Sequence, residues 1–251
     1  MCDAMTKRRK APLTLSLFPG IGLLDMAFEQ EGFCVVRGPD VLWGGDIRVF
    51  HVPPHRFDGM IGGPPCQTWS RLVHMVRQNG YEPKFGNLIP EFERCIVEAE
   101  PDWFVMEEVP DAPVPVVDGY GVHSFLLNNR QLGEKQNRVR RWSFGFRGRR
   151  RILEVETQVF EHPEFEYAVC GGSGGGARHA SGSCKKSVTT LPMNTKSYRS
   201  FQHIRELQGL PDDFDLPPFT VAAKCQAIGN GVPMAMGRAI AKAVRKAANT
   251  P

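Results

Sequence analysis

The stretch Gly62-Gly63-Pro64-Pro65-Cys66-Gln67-Thr68-Trp69-Ser70 sets one cysteine behind two prolines, just past the apolar run from Phe57 to Ile61. An apolar run, a rigid turn and a sulfur together present a nucleophile at the carboxyl edge of a sheet. The prolines hold φ and remove two backbone donors, so the turn is stiff and Cys66 is aimed. A thiolate is the strongest nucleophile among the ordinary side chains. A lone cysteine is more often a buried structural one, and here the Pro-Pro-Cys-Gln context argues for chemistry. A second apolar run, Trp103 to Met106, delivers the carboxyl of Glu107 at its end.

These groups need a scaffold that brings strand ends together. Leu13 to Leu17 reads as a short buried strand, broken by Pro19, Gly20 and Gly22. Leu23, Leu24, Ala27 and Phe28 recur at helical spacing, so a helix runs to about Glu31, where Gly32 ends it. Phe33 to Arg37 reads as a second strand. Gly44-Gly45-Asp46-Ile47 reads as a loop entering a short strand, and Phe57 to Ile61 as the strand that feeds Cys66. Phe92, Cys95, Ile96 and Ala99 share one helix face, and Pro101 stops that helix before the strand from Trp103. His123 to Leu127 and Arg140 to Phe146 read as two strands of a hairpin turned at Asn128 to Asn137. Val232 to Ala247 reads as a closing helix, with Met236, Ile240 and Val244 at one-turn spacing. Strand, loop, helix and strand in this order predict an α/β, doubly wound, Rossmann-like sheet.

Composition narrows the class. A chain of 251 residues can bury a full core as one large domain with a small lobe. The net charge of +4 is only mildly basic, which by itself is weak support for a nucleic-acid partner. Seven arginines (Arg138, Arg140, Arg141, Arg147, Arg149, Arg150 and Arg151) nevertheless fall within fourteen positions. They read as a phosphate-contacting edge, with a solvated surface run as the alternative. The seven cysteines form no C-x-x-C pair, which argues against a disulfide framework or a metal site and for a reducing cytoplasm. Cys170, His179 and Cys184 lack a fourth ligand of plausible spacing. No run reaches the ~20 apolar residues of a membrane span, and no signal peptide is expected. The expected layout is a basic tail (1–11), a catalytic and cofactor-binding domain (12–147), a small target-recognition region (148–199) and a C-terminal segment completing the catalytic domain (200–251). Five glycines in Cys170 to Gly176 make the recognition region a flexible loop, a lobe with a mobile tip, or both.

Six short motifs then line up. They are Phe18-Pro19-Gly20-Ile21-Gly22, the Pro65-Cys66-Gln67 stretch, Glu107-Glu108-Val109, Gln136-Asn137-Arg138-Val139-Arg140, Arg205-Glu206-Leu207-Gln208-Gly209 and Gly229-Asn230-Gly231-Val232-Pro233. In this order the chain resembles the DNA (cytosine-5) methyltransferases of bacteria and phages, over residues 13 to 240. Two motifs depart from the pattern. Glu108 stands where the family has Asn, and Arg-Glu-Leu-Gln-Gly is a shortened form of its motif.

The resemblance implies an S-adenosylmethionine-dependent methyltransferase fold and a set of roles. Cys66 would add to C6 of cytosine, making C5 electron-rich. Glu107 would support N3 by donating a proton or a short hydrogen bond. Arg140 would hold O2, and Arg138 would brace the site. S-adenosylmethionine, with S-adenosylhomocysteine as product, would lie along Phe18, Gly20, Ile21, Gly22, Asp46, Ile47, Pro64, Asn230 and Val232. Asp40 is the one acid available for the ribose, two residues later than the family places it. Successive strand residues face opposite sides, so Glu108, next to Glu107, need not enter the pocket. If close, it would raise the pKa of one carboxyl of the pair and help keep Glu107 protonated.

The target carbon lies within the stack of duplex DNA, so the nucleotide must be flipped out. Gln67, Ser70 and Arg71, at the start of an expected lid to about residue 87, are candidate DNA contacts. The expected partner is double-stranded DNA, bound by a monomer without a metal. An RNA (tRNA) cytosine-5 methyltransferase and a non-catalytic DNA-binding relative are the alternatives. Duplex DNA against tRNA as methyl acceptor separates the first, and a covalent adduct with a 5-fluorocytosine duplex separates the second.

Overall fold

The computed structural model describes residues 11–69, 78, 80, 85–158, 165–169, 184–185 and 198–249. In chain order the strands are β1 (Leu13–Leu17), β2 (Cys34–Arg37), β3 (Gly59–Gly62), β4 (Trp103–Glu108), β5 (Tyr120–Asn128), β6 (Gln136–Asn137), β7 (Val139–Arg147), β8 (Glu166–Tyr167), β9 (Cys184–Lys185) and β10 (Tyr198–Arg199). The helices are α1 (Leu23–Gln30), α2 (Ile89–Ala99), α3 (Phe201–Leu207), α4 (Val221–Asn230) and α5 (Met234–Asn249).

β2, β1, β3, β4, β7 and β5 form a six-stranded sheet in that order. β1 pairs in parallel with both β2 and β3, and β3 with β4. β7 runs antiparallel to β4 and to β5. The carboxyl ends of β1, β3 and β4 therefore share one edge, and β7 begins where β4 ends. The order reverses at β1, and crevices for ligands form at such a reversal. This is a doubly wound, Rossmann-like α/β sheet.

Strand alternation sorts the core into two layers. Trp103 and Val105 of β4 face α1 and α5, packing with Phe28, Met236 and Ile240. Phe104 and Met106 face α2, packing with Phe92, Cys95 and Ile96. Side chains on successive residues are thus committed to opposite layers before the strand reaches Glu107 and Glu108. α2 has Pro90 in its first turn and ends at Glu100, which has φ +48°. α1 and α5 approach closely because residue 237 is glycine; a Cβ there would lie 2.6 Å from Cβ of Ala27.

Several boundaries differ from the sequence reading. β4 extends through Glu108, so both carboxyls of the motif belong to the strand. β3 begins at Gly59 rather than Phe57. No strand forms at Ile47: Ile47–Val49 is a 3-10 turn capped by Asp46, whose side chain accepts from Arg48 N. Capping captures the short segment before it can reach a sheet neighbour. Most of the expected recognition region, including Cys170 to Gly176, His179 and residues 186–197, lies outside the described residues, as does most of the 1–11 tail.

Candidate active site

β3 empties into Gly63-Pro64-Pro65, and Cys66–Thr68 forms a 3-10 turn. The turn presses on β4, since a Cβ at Gly63 would lie 3.2 Å from Oε2 of Glu107. Adjacent parallel strands produce this approach, because Gly62 pairs with Met106 and the next residues on both chains reach the same edge. The backbone of Cys66 is placed here; its side chain, Ser70 and Arg71 lie outside the described residues. Pro64 is buried. Gln67 is exposed, and its Oε1 accepts from Phe85 N at 3.1 Å, tying the turn to the far end of the expected lid.

Glu107 and Arg140 meet across β4 and β7. Glu107 pairs with Trp142 in the ladder, and Arg140 lies on the same face two residues earlier in β7. Nε of Arg140 is 2.8 Å from Oε1 of Glu107, with both side chains largely buried. Arg140 also donates from Nη1 to the carbonyl of Val139 at 2.8 Å. A carboxyl and a guanidinium therefore sit beside the turn that carries Cys66.

Glu108 points into the other layer and is only 1% exposed. Its Oε2 accepts from Val109 N at 2.9 Å, and its Oε1 has no hydrogen-bond partner among the described residues. Burial, and then the neighbouring Glu107, push the Glu108 carboxyl up to about 8, with Arg140 pulling weakly the other way. The sequence expectation placed the raised pKa of the pair to the benefit of Glu107; it is Glu108 that carries the raised value, because Glu108 is the more deeply desolvated.

Behind this pair lies a buried polar knot. Arg138 is 2% exposed and donates to the carbonyls of Val169 (2.5 Å) and Gly231 (3.0 Å). Gln136 donates to the carbonyl of Leu207 (2.8 Å) and to Oε1 of Gln208 (3.2 Å), and accepts from Val169 N. Gln208 in turn donates to the carbonyl of Ile228 at 2.7 Å. Arg138 thus braces backbone carbonyls at both of these positions.

On the other side of β3, Gly20 and Gly22 take positive φ (+56° and +82°), which lets the loop after β1 turn straight into α1. Phe18 is also left-handed, at φ +55°. Gly22 caps α1 without a side-chain cap, so first-turn amides are left for a ligand. The loop is clamped by the 40–44 turn. Gly20 N donates to Oδ2 of Asp40 at 2.8 Å, and Nε1 of the exposed Trp43 donates to the Gly20 carbonyl at 2.7 Å. The other Asp40 oxygen accepts from Leu42 N at 2.7 Å. Asp46 is engaged as well, by Nη2 (2.7 Å) and Nε of Arg48, and this pairing lowers its pKa. Ile47 is buried, Ile21 packs with Leu23 and Ala27, Val232 is buried, and Asn230 is exposed at the end of α4. A Cβ at Gly231 would meet Leu23 at 2.6 Å, so the 229–233 turn packs on the start of α1.

Comparison with known proteins finds relatives both by sequence and by fold. Residues 44–112 match the model of the C-5 cytosine-specific DNA methylases. The Type II methyltransferase M.FnuDI of Fusobacterium nucleatum is 30% identical over 178 residues, covering 59% of this chain and 50% of that protein. M.MthTI of Methanothermobacter thermautotrophicus is 24% identical, covering 92% of this chain and 96% of that protein.

In residues 44–112 the chain is similar to the C-5 cytosine-specific DNA methylases.

It spans about half the length of the Fusobacterium protein and of M.NgoPII from Neisseria gonorrhoeae (50% and 47%). The fold also matches that of the Entamoeba histolytica methyltransferase EhMeth, with TM-score 0.61 and 12% identity over 95% of this chain and 99% of the other. A candidate DNA modification methyltransferase from an E. coli prophage gives 0.63 and 15%, over 96% and 100%.

The structure brings Glu107, Arg140 and the Cys66 turn together, and groups the glycine loop with Asp40 and the 229–233 turn. It does not gather the basic run into one edge. Arg138 is buried, Arg140 pairs with Glu107, and Arg141 donates to the Pro110 carbonyl. Arg147 pairs with Asp102, and Arg151 stacks on Phe146 and donates to the Ala247 carbonyl. Arg149 and Arg150 remain exposed. Antiparallel pairing scatters these side chains over both sheet faces. The sequence reading assigned no role to Gln136, Gln208 or Trp43. It also passed over the buried Asp25, which accepts from Ser16 (2.5 Å) and Arg37 (2.9 Å) beneath the glycine loop. Both glutamines stood in quoted motifs, which was the available signal. Among the described residues no cluster of three or more His, Cys, Asp or Glu is set to hold a metal, and no helix is long and apolar enough to cross a membrane.

Proposed function

We propose that this chain is a DNA (cytosine-5) methyltransferase that moves a methyl group from S-adenosylmethionine to C5 of a cytosine flipped out of duplex DNA. The observation that carries this reading is the convergence of the Cys66 turn with the Glu107–Arg140 pair. Gly63 abuts Glu107 Oε2, and Arg140 Nε lies 2.8 Å from Oε1.

The glycine loop fits the methyl donor. Nothing lies within 4 Å of a Cβ built on Gly20, so the backbone there has open space above it. The uncapped start of α1 suits the carboxylate of the donor's methionine end. Phe18, Gly20, Ile21, Gly22, Asp40, Asp46, Ile47, Pro64, Asn230 and Val232 would hold it, and when bound it supplies an electrophilic methyl group. Asp40 and Asp46 must first exchange bonds that they make within the chain. Cys66 adds to C6 of cytosine, and C5 becomes an enamine carbon able to take the methyl. Glu107 supports N3 as the ring accepts electrons, and Arg140 stabilises charge drawn toward O2. Loss of the C5 proton and expulsion of the sulfur restore the ring. Arg138 holds the 169 and 231 carbonyls and keeps the start of β7 in place. Gln67, Ser70 and Arg71 are proposed DNA contacts. The protein would act as a monomer on double-stranded DNA in the cytoplasm.

Base-resolution mapping of 5-methylcytosine in methylation-free bacteria expressing the chain, beside Cys66→Ala, tests the reading. Marks at one short DNA motif, absent in the variant, are expected. Soluble protein that marks tRNA and leaves DNA bare would overturn the choice of substrate.

A further inference from the structure

β4 ends in two adjacent carboxyls that face different layers. Glu107 has a cation, Arg140, at 2.8 Å. Glu108 is more deeply buried, with one oxygen on its neighbour's amide and the other without a hydrogen-bond partner among the described residues. The charged groups around it are accounted for by element. β4 supplies Glu107. β7 supplies Arg140, and also Arg141, which is opposite Glu108 in the ladder but spends its guanidinium on the Pro110 carbonyl (3.0 and 2.8 Å) and on Ser124. α2 meets this face with Phe92 and Ile96, and its Glu93 is turned to Val116 N. Asp111 follows in the segment after β4. No ion-pair partner is set against Glu108 among the described residues.

We propose that Glu108 is held as a neutral carboxylic acid and acts as a positioning residue: it fills the place of the family's amide and, uncharged, leaves Arg140 to Glu107 and the base. This rests on the cytosine-5 methyltransferase reading for its catalytic consequence, though not for the protonation itself. A protonated carboxyl, like an amide, offers both a donor and an acceptor. An ionised one at this depth would be an uncompensated buried charge. It would also oppose the negative charge that the cytosine ring gathers when sulfur adds. The raised value of about 8 agrees with this.

The sign follows from linkage. The folded protein keeps a proton on Glu108 that the unfolded chain releases near 4.5. Folded stability is therefore greatest at low pH with respect to this group. It declines as pH rises from about 4.5 to about 8 and is level beyond.

The test compares the full chain with Glu108→Gln, and with Glu108→Asn as a second neutral variant should the longer amide pack badly. Urea midpoints are measured across pH, together with the infrared band of protonated carboxylic acids near neutral pH. Expected are a wild-type midpoint that falls through this window, a shallower slope in both variants, and loss of one protonated-carboxyl band on substitution. Methyl transfer by the wild type should then fall by about tenfold per pH unit above the Glu108 transition, and by less than about twofold in Glu108→Gln. Equal stability slopes in all three proteins, or an unchanged infrared band, would overturn the proposal. A lost band with no methyl transfer from any of the proteins at any pH would leave the proton on Glu108 and overturn the functional reading and the positioning role with it.

Discussion

Polar side chains on the base side of the sheet edge are buried and answer partners far away in the chain. Gln136 reaches Gln208 across 72 positions, and Arg138 reaches Gly231 across 93. At the surface of the proposed cofactor side, Asp40 and Asp46 are partly exposed and each takes a bond from a near neighbour. Asp40 caps Leu42, and Asp46 grips Arg48, each two residues on. The difference has a physical meaning. A buried network must be satisfied before any ligand arrives, because an orphaned group there costs the full desolvation penalty. Exposed pairs contribute about 0–1 kcal/mol and are exchanged at little cost. The buried knot is therefore built in advance, whereas Asp40 and Asp46 would give up internal bonds to hold the proposed cofactor.

The comparison breaks most sharply at Glu107. Glu107→Gln should lower the rate of methyl transfer by at least about a hundredfold while the protein still binds duplex DNA, as measured by single-turnover kinetics and gel shift. A rate within a few-fold of wild type would remove Glu107 from the chemistry. Next comes the knot. Gln208→Leu strips partners from Gln136 and from the Ile228 carbonyl and should cost about 2–3 kcal/mol in urea unfolding. A loss under about 0.5 kcal/mol would show that the buried network is not what holds the base side rigid. The smallest effect is expected at Arg48. Arg48→Ala removes the guanidinium from Asp46 and leaves only the bond from the residue 48 amide to Oδ1, and by calorimetry S-adenosylmethionine should bind about as tightly as before or up to about fivefold tighter, matching the small worth of an exposed pair. A tenfold loss would mean that Arg48 itself serves the cofactor.

Much of the frame was legible in the chain. Alternating apolar strands, the glycine loop and the i, i+3, i+4, i+7 face of α2 are local patterns, and each produced its element. Boundaries failed where a local hydrogen bond competes with a strand, as at Asp46, or where a polar pair continues one, as at Glu107 and Glu108. The basic run was read as one edge because sequence proximity looks like spatial proximity. Strand pairing then sends Arg138 inward, Arg140 to Glu107 and Arg151 onto Phe146. The partners that Arg138, Arg140 and Gln136 meet were not legible, because they come from distant parts of the chain.

The sequence by itself determined which groups are available and in what order: a cysteine after a stiff turn, a carboxyl at a strand end, two arginines one strand later and a glycine loop at the start. Alternation along β4 also determined that Glu107 and Glu108 enter different layers. Only the tertiary structure decided how each is paired and how deeply it is buried. It sets Arg140 against Glu107, leaves Glu108 without an ion-pair partner among the described residues and joins Gln136 to Gln208. Depth and distant partners arise from the packing of whole layers, and those are the quantities that place a proton.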